Sequence, residues 1–298
     1  MKVTEHIKAA KDTLFSFEIL PPLKGKGIQT LYDGIDPLME FNPKFVNVTY
    51  HREEFIYKER DNGLLEKIAV RKRPGTVGIC AAIMNRYNVD AVPHLICGGF
   101  NQEETENALI DLQFLGIDNV LALRGDSIKS ESVFVPEPGG HKHANELIHQ
   151  IGQMNQGHYL MDDYKMDPTD FCIGAAGYPE KHFEAMNLED DLYHLKKKVE
   201  AGAHYIVTQM FFDNQKYFDF VSACRAIGIT VPIIPGLKPL KSLTHISFIP
   251  KYFHIDYPVE LSRELIKCKT NADVERVGIE WGIQQSKALK AAGVPCIH

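Results

Sequence analysis

Eight runs of apolar, β-rich residues punctuate the chain, each close to the length of a strand, and stretches with helical spacing separate them. The runs are FSFEIL (15–20), FVNVTY (45–50), AVPHLIC (91–97), NVLALRG (119–125), FCIGAAGY (171–178), YIVTQMFF (205–212), VPIIPGL (231–237) and VPCIH (294–298). Between them, Asn101 and Glu104 form a capping-box start for a helix whose Leu109, Leu112 and Leu115 keep helical spacing. Leu188, Leu192, Leu195 and Val199 form a second apolar stripe, closed by Gly202, and a third helix is predicted around His143 to Met154. Strands alternating with helices imply a parallel sheet. About eight such units in one chain imply an α/β fold of the (β/α)8 TIM barrel class, with a doubly wound open sheet as the alternative.

That architecture makes a demand on the polar residues, because barrel enzymes assemble their sites at the C-terminal ends of the strands. The runs carry Glu18, Thr49 with Tyr50, His94, Arg124 with Asp126, Tyr178 with Glu180, and Gln209 toward those ends. Any one of them reads as an ordinary strand-end residue meeting water. Together they describe a polar site in an apolar frame. In the first run, alternation places Ser16 and Glu18 opposite Phe15, Phe17 and Ile19, and Pro21 and Pro22 end the strand. Glu18 is therefore expected to be hemmed by apolar neighbours, with a raised pKa. The long polar segment from Ser127 to Asp170 is expected to hold an active-site loop as well as the helix near His143. Neither an internal repeat nor a linker interrupts the chain, so residues 1–298 read as a single catalytic domain.

Composition then narrows the function class. At 44% hydrophobic, the 298 residues can bury a large core, and a net charge of -6 without a basic block argues against nucleic acid as a partner. No stretch approaches a membrane span, and the first residues lack the apolar segment of a signal peptide. The six cysteines lack CxxC spacing, which points to reduced, mostly buried thiols and a cytoplasmic protein. Several chemistries thin out as well. There is no strand-end lysine for a Schiff base and no G-x-S-x-G elbow, and GKGIQT (25–30) is a poor dinucleotide loop because threonine replaces its third glycine. Glu18, His94 and Asp126 could meet around a metal, but no spaced ligand motif supports one, so no metal is expected.

The ordered series FSFEILPP, PKFVNVTY, VPHLIC, ALRGD, AAGYPEKH, DLYHLKKKVEAGA, TQMFFD and IPGLKP resembles the methylenetetrahydrofolate reductases over nearly the whole chain. The resemblance implies a flavoenzyme that binds FAD and uses NADH or NADPH to reduce 5,10-methylenetetrahydrofolate to 5-methyltetrahydrofolate, the methyl donor for methionine synthesis. It implies that Glu18 is the catalytic acid, that Thr49 and Tyr50 contact flavin, and that Thr49 also lies close to the nicotinamide. It gives His94, Arg124, Gly125 and Asp126 to the flavin and its phosphate chain, and continues that cofactor site through Tyr178, His182, Asp191, His194, Lys197 and Lys198. Gln209 matches the residue that hydrogen-bonds the folate ring.

Chemistry agrees with these assignments. Guanidinium and ammonium groups suit a pyrophosphate, an amide suits the edge of a pterin, and a carboxylate at Asp126 would disfavour negative charge on a reduced ring. Without the resemblance, Asp191, His194 and Lys198 read as a solvated helix stripe and His94 as a hydrogen-bonded core histidine. Three features depart from the family pattern. His143 precedes Ala144 on the adenine side, where relatives often carry tyrosine. His245 and Ile249 fall where polar and aromatic substrate contacts are expected. The chain reaches His298 just inside the eighth strand, where the family continues with an aromatic-rich end and a closing helix. A homo-oligomer is expected. Two readings from other classes stand beside the reductase, a flavin-free metal-dependent lyase and a noncatalytic flavin-binding relative.

Overall fold

The computed structural model describes residues 1–298 except 129, 130, 132 and 162–164. In chain order its elements begin with α1 (Val3–Ala9), β1 (Leu14–Phe15), β2 (Phe17–Ile19), α2 (Ile28–Ile35), a 3-10 turn (Asp36–Phe41), β3 (Phe45–Val48), β4 (Glu54–Glu59), β5 (Leu65–Val70) and α3 (Thr76–Tyr87). They continue with β6 (Asp90–Ile96), α4 (Gln102–Phe114), β7 (Asn119–Leu123), α5 (Ala144–Met154), β8 (Cys172–Gly177) and α6 (Leu188–Glu200). The last are β9 (Tyr205–Thr208), α7 (Asn214–Ala226), β10 (Ile233–Ile234), α8 (Leu243–Phe253), α9 (Val259–Leu265), α10 (Asn271–Ala291) and β11 (Cys296–Ile297). All eight apolar runs contain a strand, so the fold is α/β with the strand and helix order of a (β/α)8 barrel.

The chain divides into two compact units. The first comprises Met1–His6, Ser16–Gly174 and Ala201–Ala203. Its strands run parallel in the order β7-β6-β3-β2, with Glu18 in register with Asn47, and Val48 with Pro93. Phe45, Val46, Asn47 and Val48 are all buried, as a strand covered on both faces requires. The expected capping box opens α4: Asn101 Oδ1 accepts the Glu104 N–H at 2.7 Å, and the Glu104 carboxylate accepts the Asn101 N–H at 2.9 Å. The segment from Ser127 to Asp170 contains α5 as expected, and its predicted active-site loop lies partly outside the described residues.

The second unit comprises Ile7–Phe15, Ala175–Glu200 and His204–His298. Here β9 and β10 pair in parallel, and β1 pairs in parallel with β11. The first apolar run is therefore two strands. It breaks at Ser16, with Leu14–Phe15 on β11 and Phe17–Ile19 on β3. Ile206, Phe211, Tyr217, Phe220 and Cys224 form one buried cluster of this unit, and Met210, Phe212, Ile249 and Leu261 belong to another.

The ribbon made by β4 and β5 was not legible in the hydrophobic pattern. It is antiparallel, it begins at Glu54, shortly after Tyr50, and its strands pair with nothing else among the described residues.

Candidate active site

Three adjacent strands of the first unit place polar groups together. Glu18 sits next to the end of β2, Asn47 is its register partner on β3, and His94 stands on β6. Asn47 is wholly buried and His94 is only 5% exposed. The Asn47 Nδ2 lies 3.5 Å from His94 Nε2, and the same nitrogen lies 3.7 Å from a Glu18 carboxylate oxygen. The Asn47 side-chain oxygen is buried without a hydrogen-bond partner among the described residues. Such an atom is rare in a folded protein, and it marks a place where a ligand or water donor belongs.

The environment of Glu18 departs from the sequence expectation. Its side chain is half exposed, because the apolar residues beside it in sequence, Phe17 and Ile19, point to the other face of the strand. Its close neighbour is an imidazole rather than a hydrocarbon wall.

Around this trio, Thr49 donates both its backbone N–H, at 3.1 Å, and its hydroxyl, at 3.4 Å, to the Ile19 carbonyl. Tyr50 packs at 57° to Phe100 with ring centres 5.1 Å apart, and burial raises its phenol pKa, keeping the proton on. Arg124 follows β7 with its guanidinium 5.2 Å from the Phe134 ring, and its carbonyl accepts the Gly98 N–H at 3.2 Å. Gly125 adopts φ +83°, where a side chain would be strained, and a Cβ there would come within 3.2 Å of Ile96. Asp126 is exposed. His143 is exposed and precedes α5, where the Glu146 carboxylate accepts the Lys142 and His143 N–H groups at 2.7 and 3.3 Å, and Ala144 is buried.

Two neighbours escaped the sequence reading. Burial, helped by Arg73, lowers the pKa of His51, while Glu18 and Asp126 act in the opposite sense, so His51 belongs to the same electrostatic neighbourhood. Arg52 forms ion pairs with Glu131 at 3.1 Å and Glu137 at 2.9 Å and packs against Gly98 and Gly99. Their only sequence signal was position, immediately after the Thr49–Tyr50 strand end.

The second unit holds the other predicted residues. Tyr178 and His182 meet edge to face at 4.6 Å, and Lys198 donates to the Ala176 carbonyl at 3.0 Å with its ammonium 5.8 Å from the Tyr178 ring. Asp191, 8% exposed, accepts the His182 N–H at 3.1 Å. Burial raises its pKa. The His182 bond and the charges of Lys198, Lys181 and His194 oppose that shift. His194 pairs with Asp190 at 3.5 Å instead, and Lys197 lies 4.4 Å over the Tyr193 ring, so both stand on a more exposed face of α6. Gln209 donates its backbone N–H to Gly177 at 2.8 Å, and its side-chain oxygen accepts the Met210 N–H at 3.0 Å. Glu180 accepts the Asp256 N–H at 3.0 Å, and burial raises its pKa. Ile249 is 1% exposed and packs in the core, so it is not placed to touch a substrate. The His245 ring accepts the Lys241 N–H at 3.2 Å.

The family model described as methylenetetrahydrofolate reductase matches residues 2–298. The chain belongs to the methylenetetrahydrofolate reductase family. It is 31% identical to the 5,10-methylenetetrahydrofolate reductase of Escherichia coli, covering 95% of this chain and 84% of that protein. It is 32% identical to methylenetetrahydrofolate reductase (NADH) 1 of Arabidopsis thaliana across its whole length, but covers 48% of that protein. A probable methylenetetrahydrofolate reductase (NADPH) of Caenorhabditis elegans is 30% identical, with 41% of its length covered. The chain thus spans about half the length of the plant relatives it matches. A solved structure from Clostridium thermocellum, of an uncharacterized protein that binds two copies of 5-methyl-5,6,7,8-tetrahydrofolic acid, shares the fold with a TM-score of 0.55 at 16% identity, covering 98% of this chain and 90% of that one.

Proposed function

We propose that this chain reduces 5,10-methylenetetrahydrofolate to 5-methyltetrahydrofolate with NADH or NADPH, using bound FAD, and so supplies methyl groups for methionine synthesis. Family membership supports the reaction class. The observation that carries the reading in the chain itself is the Glu18 carboxylate, open to solvent on one side and held beside a buried histidine on the other.

The residues fit a flavin nucleotide. The buried oxygen of Asn47 awaits a donor, and Gly125 leaves its backbone bare beside Arg124. The half-buried Lys198 ammonium donates to the Ala176 carbonyl, and a cation of this kind suits a phosphate chain. Under this reading the residues that the resemblance gives to the cofactor keep that role: His94, Thr49, Tyr50, Arg124, Gly125, Asp126, His143, Ala144, Tyr178, His182, Asp191, His194, Lys197 and Lys198. When bound, FAD supplies the capacity to accept hydride from nicotinamide and pass it to folate.

The chain's own chemistry is proton transfer. The five-membered ring of the substrate must open to an iminium ion before it accepts hydride, and opening requires a proton on the departing amine nitrogen. Glu18 in its acid form donates that proton, Gln209 presents both donor and acceptor to the pterin, and Thr49 lies near the nicotinamide. The plant and nematode relatives carry NADH and NADPH in their names respectively, so the reductant stays open between them. Among the described residues no helix is long and apolar enough to cross a membrane. Among the described residues no cysteine is in a disulfide and five of the six are buried, which supports a reducing cytoplasmic setting.

The test is colour. Purified protein incubated with FAD should take up about one flavin per protomer, bleach with reduced nicotinamide in the absence of oxygen, and regain its absorbance when methylenetetrahydrofolate is added. A protein that stays colourless sinks the flavin reading, and a flavin that nicotinamide never bleaches leaves only a binding protein.

A further inference from the structure

The β4–β5 ribbon lies outside the chemistry just derived, and its composition is unusual for a surface appendage. Ile56, Tyr57 and Leu65 are 51, 60 and 67% exposed, respectively. A two-stranded ribbon in water is marginal unless a further strand or apolar surface completes it, and a free edge is a template for pairing.

The two edges are not equivalent. The Arg60 N–H donates to the Leu64 carbonyl at 2.9 Å, and the register runs from Glu54 opposite Val70 to Glu59 opposite Leu65. Alternation then directs the backbone groups of Glu54, Ile56 and Lys58 toward β5, and those of Phe55, Tyr57 and Glu59 toward the open edge of β4. A second copy related by a twofold axis must pair antiparallel and keep the same face outward, so only positions of equal parity can stand opposite one another.

Centred on Ile56, β4 meets these constraints with itself. Ile56 faces Ile56 of the second copy, Phe55 faces Tyr57 on either side, and Glu54 faces Lys58. The Phe55 and Tyr57 positions are the ones whose N–H and C=O groups point outward, so ladder bonds form where the aromatic pairs form. Lys58 makes no ion pair within the chain among the described residues, and Glu54, already bonded to Lys72 at 2.5 Å, would lie between two cations. The β5 edge does not self-pair in this way. Centring on Glu66 or Lys67 sets like charges face to face, and centring on Ile68 leaves both without an opposite charge.

We propose that the open edge of β4 is an interaction surface for a second copy of this chain, joining two ribbons into one four-stranded antiparallel sheet. Edge pairing alone covers less than the ~800 Å² per partner of a standard interface, so the dimer is concentration-dependent.

Sedimentation velocity over a concentration series should show monomer passing to dimer. Tyr57→Pro removes an outward N–H while sparing every bond between β4 and β5, and should weaken the dimer about tenfold or more, with unchanged circular dichroism. The register has its own test. Ile56 faces its copy at a non-hydrogen-bonded site, where Cα atoms lie ~4.5 Å apart, within disulfide range. Ile56→Cys should therefore cross-link two chains on mild oxidation, while Glu66→Cys, on the other strand, should not. A wild-type chain that is monomeric throughout, a dimer indifferent to Tyr57→Pro, or cross-linking at position 66 rather than 56 would each overturn the proposal.

Discussion

Two acidic side chains assigned to the site live in opposite surroundings. Glu18, on β2, is half exposed and faces the His94 imidazole at 3.7 Å. Asp191, on α6, is 8% exposed, and its carboxylate accepts the His182 N–H while burial raises its pKa. Sequence pattern suggested the reverse, an enclosed Glu18 and an aspartate on a solvated stripe. The structure teaches that the acid expected to exchange protons with a substrate is the accessible one, and the acid built into the fold is the buried one. Substitutions at the two positions should separate along that line.

The largest effect is expected at Glu18. Glu18→Gln keeps the shape and hydrogen-bonding capacity but cannot give a proton to the departing amine nitrogen, and positioned acids contribute ~10²–10⁴-fold. Stopped-flow absorbance should find flavin reduction by nicotinamide largely retained and reoxidation by methylenetetrahydrofolate slowed by about that factor. Equal slowing of both half-reactions, or an intact folate step, would assign the carboxylate some other task. Because the side chain is half exposed and faces a residue that glutamine can also hydrogen-bond, stability should change little, within about 0.5 kcal/mol.

Asp191→Leu should show the opposite balance in stability. It removes the carboxylate that accepts the His182 N–H. Losing a hydrogen bond at a part-buried donor costs ~0.5–1.5 kcal/mol, and each kcal/mol corresponds to roughly 2–4 °C in a chain of this size. A melting point equal to that of Glu18→Gln would erase the distinction between the two carboxylates.

The contrast also marks what the sequence could and could not reveal. Apolar runs located all eight barrel strands, because a buried parallel strand writes itself as continuous hydrophobicity. They overstated strand length where apolar residues continue past the ladder. In YIVTQMFF the strand ends at Thr208, and Met210, Phe211 and Phe212 are buried beyond it. The ribbon left no such trace, since Ile56, Tyr57 and Leu65 are exposed and its apolar residues are interleaved with charges. In the site, strand ends pointed to Glu18, Thr49 and Arg124, but depth was invisible. Asn47 stood unnoticed inside an apolar run, although a lone amide in a fully buried strand is a signal, because it must find partners. On α6, positions 191 and 198 share a face while 194 lies about 60° round the axis, which is why His194 reaches Asp190 and Lys198 reaches Ala176.

The smallest expected effect isolates the cost of ionising Asp191. A carboxylate whose folded pKa is raised is disfavoured as an anion by the fold. Its contribution to stability is therefore full below the unfolded value, about 3.9, and is lost as pH rises from there through the folded value, beyond which it changes no further. In Asp191→Asn the new amide does not titrate, yet its oxygen can still accept the His182 N–H, so the substitution preserves the contact and removes only the charge. Denaturant midpoints of the variant and the wild type should be similar at pH below about 4 and diverge upward through the next units, with the variant gaining relative to the wild type before the difference levels off. The direction follows from burial outweighing the His182 bond and the neighbouring cations. A difference that stays constant across the window would mean the fold is indifferent to the charge. One that runs the other way, with the wild type gaining as pH rises, would mean that Lys181, Lys198 and the His182 N–H outweigh desolvation, and Asp191 would then be held as an anion.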